Sequence, residues 1–252
     1  MTRMLQLSLM AVSLLLVTVL PLRAEQRLAL LIANSTYKDQ PLKNPANDRK
    51  LMQATLEKLG FEVLAFENLD GKGMKRAIRE FNGRLAKSGK DTVGLVYYSG
   101  HGVQVKGINY LVPVDAVIET EGDVEIETIA AEGLMTGLET AGNDLNIVIL
   151  DACRNNPFRG LSRSTSRGLA ELNAPVGSLV AFSTSPGNVA ADGVGNNSPY
   201  TESLAAAMLT PGLKVEDVFK RVRVEMKGKS DGKQVPWEST SVFGEFYFVA
   251  PA

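Results

Sequence analysis

A chain of 252 residues with 44% apolar side chains can bury a substantial core, and 27 basic against 28 acidic residues leave no electrostatic footprint for nucleic acid. A single cysteine and a single histidine exclude an internal disulfide and a typical zinc ligand set. The first 24 residues carry Arg3 and no acid, then an apolar run from Leu9 to Leu20, then Pro21-Leu22-Arg23-Ala24. This pattern reads as a signal peptide cleaved after Ala24, because the run is shorter than the ~20 residues a spanning helix needs; an uncleaved membrane anchor is the alternative. Cleavage removes Arg3 and Arg23 and leaves 228 residues with 25 basic and 28 acidic side chains, a net of −3. The expectation is an exported protein, periplasmic or secreted, with no membrane segment after signal removal.

Gln26 to Ala33 is a continuous apolar run and reads as a buried strand, ended by the turn-rich 34–39 stretch. Asn44-Pro45-Ala46-Asn47-Asp48 reads as a helix start, with Leu51, Met52, Leu56 and Leu59 at helical spacing and Gly60 as the stop. Phe61 to Phe66 reads as a strand and Gly73 to Lys87 as an amphipathic helix. Val93 to Tyr98 is a further strand, followed after His101 by a hairpin turning at Lys106-Gly107. The periodicity predicts a helix over Val124 to Thr140 and a strand over Leu145 to Leu150. Regular patterning is absent from Arg154 to Pro175, where Arg154, Arg159, Arg163 and Arg167 stand among Ser, Gly and Asn; it reads as a long exposed loop. A strand at Ser178 to Ser183, helices at Pro199 to Leu209 and Val215 to Lys227, and a closing strand at Phe243 to Val249 complete the expectation. Strands alternating with amphipathic helices imply an α/β domain over 25–252, its mostly parallel sheet covered by helices on both faces.

The reactive residues occupy equivalent places. His101 follows one buried strand and Cys153 another, 52 residues later, and parallel strands bring such positions to one carboxyl-edge crevice. A thiol attacks a carbonyl as thiolate, and an imidazole takes its proton and returns it to the leaving amine, so Cys153 and His101 are candidate nucleophile and general acid–base. Gly102 admits close approach of a substrate, and its N–H with that of Cys153 is a candidate oxyanion hole. Asp151, two residues before the cysteine, lies on the same side by strand alternation. A carboxylate lining the pocket attracts Arg or Lys in a substrate and repels Asp or Glu; Asp48 is a second carboxylate that the helix start brings to the same edge. Taken singly, these have plainer readings: Cys153 as a small core residue, Asp48 as a helix cap. No G-x-S-x-G elbow and no glycine-rich phosphate loop is present.

Four stretches together, 42–48 (LKNPAND), 97–102 (YYSGHG), 151–158 (DACRNNPF) and Asp192-Gly193 with 197–201 (NSPYT), make the sequence resemble the caspase-like clan of cysteine peptidases, peptidase C14, most closely its bacterial metacaspase or orthocaspase branch. Caspases carry Gln-Ala-Cys with the histidine about 50 residues upstream; here the spacing agrees, and Asp151 replaces the glutamine as in the metacaspase branch, whose members cleave after Arg or Lys. The resemblance implies a caspase-like fold, His101 and Cys153 as catalytic dyad, and Asp48, Ser99 and Asp151 as the pocket for a basic side chain. Pro45 stands where some metacaspases have a pocket cysteine. Many members need calcium, for which no ligand cluster is matched here, and the chemistry itself requires no cofactor. Family members are often cut by themselves in the loop corresponding to 154–175, where Arg163 or Arg167 fits the specificity. The expected partners are protein or peptide substrates with Arg or Lys at the cut. The rival expectation is a non-catalytic periplasmic module that keeps the groove for peptide recognition.

Overall fold

The computed structural model describes residues 25–152, 168–188, 190 and 192–251. The signal-peptide expectation for 1–24, Cys153, and most of the predicted arginine loop lie outside these residues.

A six-stranded sheet in the order β2-β1-β3-β7-β8-β9 forms the centre. Its strands are β1 (Gln26–Ala33), β2 (Glu62–Glu67), β3 (Thr92–Ser99), β7 (Leu145–Asp151), β8 (Ser178–Phe182) and β9 (Trp237–Thr240). All pairs are parallel except β8 with β9. Alternate side chains divide between two cores, as a sheet covered on both faces requires. Val93, Leu95 and Tyr97 of β3 and Ile147 and Ile149 of β7 pack under α1 (Pro45–Lys58), α5 (Pro199–Met208) and α6 (Val215–Lys229). Val96, Tyr98, Val148, Leu150 and Ala152 pack under α2 (Gly71–Ser88) and α4 (Ala131–Ala141). The parity matters for function: Ser99 and Asp151 are the next odd positions, so both face the α1/α5 side.

The caspase-like α/β architecture expected from the sequence is the one observed, with two local corrections. The predicted 124–140 helix is interrupted. It resolves into α3 (Glu121–Glu127), a two-residue strand β6 (Ile129–Ala130) and α4. Ile129 and Ala130 pair with Leu111 and Tyr110 of β5 (Ile108–Leu111), which itself pairs with β4 (Gly102–Val105). Val124 packs in the small core around that second sheet, whereas Leu134, Met135 and Leu138 pack under the main one, so helical spacing there does not serve a single face. The predicted closing strand at 243–249 makes only an isolated bridge, Lys214 with Tyr247. Phe246 and Phe248 are buried against α1 and α6, and the Arg27 guanidinium donates to the carbonyls of Tyr247, Phe248 and Leu59 while lying over the Phe246 ring. The strand at that edge is β9, whose short, polar Trp-Glu-Ser-Thr lacks a strand signature. The predicted hairpin turn is observed, with Lys106 at φ 51° and Gly107 at φ 82°, the left-handed pair a two-residue turn requires. Among the described residues no helix is long and apolar enough to cross a membrane.

Candidate active site

Parallel register brings three strand ends into one row, Ala33 beside Ser99 and Ser99 beside Asp151. The strand order 2-1-3 places a topological switch point between β1 and β3, where loops leaving the carboxyl edge diverge and open a crevice. His101 stands at this point. The loop after β1 is shaped by Asn68, whose side-chain oxygen accepts from the N–H groups of Ser35 (2.9 Å) and Thr36 (3.0 Å), and this delivers Tyr37 to the histidine. The Tyr37 hydroxyl accepts from the His101 N–H (2.9 Å) and donates to the Val112 carbonyl (3.0 Å), and its ring lies 4.3 Å from the imidazole. The Tyr98 hydroxyl donates to the His101 carbonyl at 2.8 Å. The backbone of His101 is therefore held from both sides by phenols.

Nε2 of His101 lies 2.8 Å from the carbonyl oxygen of Gln40. A carbonyl can only accept, so Nε2 carries the proton and Nδ1 is the basic nitrogen. Gln40 has φ 56°, a left-handed conformation costly for a residue with a side chain, and it turns its carbonyl onto the imidazole. The next residue, Gly102, is tightly enclosed: a Cβ there would lie 2.9 Å from the Ala152 carbonyl oxygen and 3.1 Å from the Ala152 Cβ. The peptide that leads into Cys153 thus passes against the residue following His101. Cys153 itself is outside the described residues.

Asp48, Ser99 and Asp151 are all fully buried. Asp48 sits in the first turn of α1, and its side chain reaches the 197–198 turn. Its Oδ1 accepts from the N–H of Ser198 (2.8 Å) and from Asn197 Nδ2 (3.0 Å). Asp151 Oδ2 accepts from the hydroxyls of Ser198 (2.6 Å) and Thr201 (3.2 Å), and its Oδ1 has no hydrogen-bond partner among the described residues. Ser198 therefore bridges the two carboxylates, one through its amide and the other through its hydroxyl. The same hydroxyl caps α5, accepting from the N–H of Thr201 at 3.1 Å. Beneath them the Tyr97 hydroxyl lies 2.7 Å from Thr201 Oγ1. Burial, reinforced by the charges of Asp151 and then Asp48, pushes the Tyr97 phenol well above its ordinary range, and hydrogen bonding with Thr201 opposes the shift without cancelling it. Tyr97 is a neutral floor under two acids.

Residues 43–48 carry the 192–198 loop almost residue by residue. The Lys43 N–H donates to Asp192 Oδ2 (3.0 Å), and the Lys43 ammonium donates to the carbonyls of Val194 and Gly195, each at 3.1 Å. Asn44 Nδ2 donates to the Asp192 carbonyl, and Asn47 Nδ2 to the Asn196 carbonyl at 2.9 Å. Two stretches about 150 residues apart thus form one wall, and this is what seats Ser198 between Asp48 and Asp151. Sequence reasoning put His101, Gly102, Asp48, Ser99 and Asp151 near one edge, and the structure brings them together. It gave no role to Tyr37, Gln40, Tyr97, Ser198 or Thr201. For Ser198 a signal was present, since Ser directly before Pro marks a helix N-cap; the backbone carbonyl of Gln40 has no sequence signature at all.

A buried acid pair bridged by one serine thus lies at the same sheet edge as a histidine whose Nε2 is held by a backbone carbonyl. Comparison with known proteins agrees with this architecture. The human mucosa-associated lymphoid tissue lymphoma translocation protein 1 is 32% identical over 132 residues, covering 52% of this chain and 15% of that protein. Caspase-1 of Rattus norvegicus is 22% identical over 240 residues, covering 89% of this chain and 60% of that protein. Caspase b of Danio rerio is 28% identical over 137 residues, 53% of this chain and 32% of that protein. The chain thus spans less than two thirds of each of these relatives. The family model of the caspase domain matches residues 26–247, nearly the whole described fold, and the chain belongs to that family, peptidase C14.

Proposed function

We propose that the chain is an exported cysteine endopeptidase that cleaves after Arg or Lys. The observation that carries the specificity is the Ser198-bridged pair of buried carboxylates, Asp48 and Asp151. Export is carried by the signal-like residues 1–24.

In this reading the substrate guanidinium or ammonium reaches the Asp48 and Asp151 pair and supplies its counter-charge, with Ser99 on the same face of the pocket. The Cys153 thiol gives its proton to His101 Nδ1. The thiolate sulfur bonds to the carbonyl carbon, and the C=O electron pair moves onto oxygen, where the N–H groups of Gly102 and Cys153 receive it. Collapse breaks the C–N bond; the leaving amine takes the proton from Nδ1 and a thioester remains. Water then attacks the thioester and delivers a proton to Nδ1. The C–S bond breaks, the acid departs, and the thiolate is regenerated beside the imidazolium. The Gln40 carbonyl stabilises the imidazolium in both halves by accepting from Nε2–H. Thiolate and imidazole suffice for every step. Calcium activation, raised by the family resemblance, is tested by chelation; among the described residues no group of three or more His, Cys, Asp or Glu is placed to hold a metal ion. Self-cleavage after Arg163 or Arg167 follows from the same specificity.

The direct test uses fluorogenic peptides ending in Arg, Lys or Asp. Cleavage after Arg and Lys, with none after Asp, is expected; a preference for Asp contradicts the pocket assignment, and no cleavage of any peptide favours a binding module.

Two variants probe the supports. Ser198→Ala removes the donor to Asp151 and the α5 cap, so KM for arginyl peptides is expected to rise about tenfold with kcat little changed, and stability to fall by about 1 kcal/mol. Ser198→Thr, which keeps the hydroxyl, is expected to restore both in steady-state kinetics and thermal melts. Tyr37→Phe leaves the buried His101 N–H without its acceptor, which costs about 1–3 kcal/mol. Its expected kinetic signature is the reverse, a lower kcat at unchanged KM.

A further inference from the structure

A cavity of about 320 Å³ is lined in part by His101. Its lining includes His101 but none of Asp48, Ser99, Asp151 or Ser198. Tyr37, Val114 and Ile118 supply apolar surface. Three carboxylates, Asp39, Asp115 and Glu119, line it against one ammonium, Lys38. Asp115 is partly committed, since its Oδ1 accepts from the Gly71 N–H at 2.9 Å; Asp39 and Glu119 are solvent-exposed side chains.

We propose that this cavity is a leaving-group subsite that takes a lysine or arginine from one of the first two residues after the cut. The inference rests on the peptidase reading above. An imidazole that protonates the leaving amine must stand beside the nitrogen of the first leaving-group residue. An extended chain advances about 3.3–3.6 Å per residue, so the side chains of the first two such residues begin within about 7 Å of that imidazole. The cavity is lined by the same histidine and by none of the acid-pair residues, and in this reading it takes the departing half of the peptide. Its apolar surface suits the methylene stem of Lys or Arg and its net negative charge suits the head. An acidic residue in the same place meets three like charges.

The test uses internally quenched peptides identical through an Arg at the cut and followed by Lys-Lys, Ala-Ala or Glu-Glu, with arginyl-aminocoumarin, which has no residue after the cut, as reference. At low salt the wild type is expected to favour Lys-Lys over Glu-Glu by about fivefold or more in kcat/KM, the sum of several exposed charge contacts. In the Asp39→Asn/Glu119→Gln double variant that ratio falls toward one; taking the ratio within each protein cancels any change in overall rate. A flat series in a wild type that hydrolyses arginyl-aminocoumarin overturns the subsite alone, as does an undiminished ratio in the double variant. A wild type that cleaves neither the peptides nor arginyl-aminocoumarin overturns the peptidase reading and the subsite with it.

Discussion

Replacing Cys153 by Ala is expected to lower kcat/KM on an arginyl peptide by at least about 10⁴-fold, and His101→Ala to do nearly as much. The larger content of the prediction lies in the double variant. If thiol and imidazole act as one unit, the second substitution has almost nothing left to remove, and the double variant matches the worse of the singles within a small factor. Independent contributions would instead multiply. His101 is held in one orientation, as a partner in such a unit would be. Its amide is fixed by Tyr37, its carbonyl by Tyr98 and its Nε2 by Gln40, which leaves Nδ1 as the one nitrogen able to accept a proton. Steady-state kinetics on the two singles and the double decide the matter; multiplicative losses contradict the dyad.

Asp151→Asn is expected to lower kcat/KM for arginyl peptides by about 30-fold to several thousandfold, corresponding to about 2–5 kcal/mol for one partner of a buried, hydrogen-bonded charge pair. Asparagine keeps the shape, and its carbonyl oxygen can still accept from Ser198 and Thr201, so the loss is one of charge. Stability should move the other way. Asp151 is buried near Asp48, bridged to it by Ser198, and among the described residues it has no ion-pair partner. Removing one of two like buried charges relieves repulsion, so the melting temperature holds or rises. A carboxylate kept for structure alone would show the opposite pair of results, unchanged kinetics with a fall in melting temperature. Because Ser198 links the acids, Asp48→Asn and Asp151→Asn are expected to be non-additive when combined.

Much of the fold was legible because its strands are continuous apolar runs, which is how a parallel sheet covered on both faces must read. Gln26–Ala33 is observed with the predicted bounds, and the strand ends that carry His101 and Asp151 follow from the same runs. The failures came where tertiary pairing overrides local pattern. Ile129 and Ala130 sit inside a helical periodicity but are claimed by β5, while Phe246 and Phe248 look like strand residues but pack as a brace around Arg27. At the site, the side chains that bear charge could be found from residue type and position. The groups that orient them could not, because Gln40 acts through a backbone carbonyl and Ser198 through contacts to residues 150 and 47 positions away.

The central claim is that paired buried carboxylates admit a basic side chain to a reactive Cys153. It is tested most directly by treating the protein with arginyl and aspartyl chloromethyl ketone peptides and mapping the adducts by mass spectrometry. The account predicts rapid alkylation of Cys153 by the arginyl reagent, slow or absent reaction with the aspartyl one, and loss of that discrimination in Asp151→Asn. Equal labelling by both reagents, or an arginyl reagent that leaves Cys153 unmodified, would contradict it.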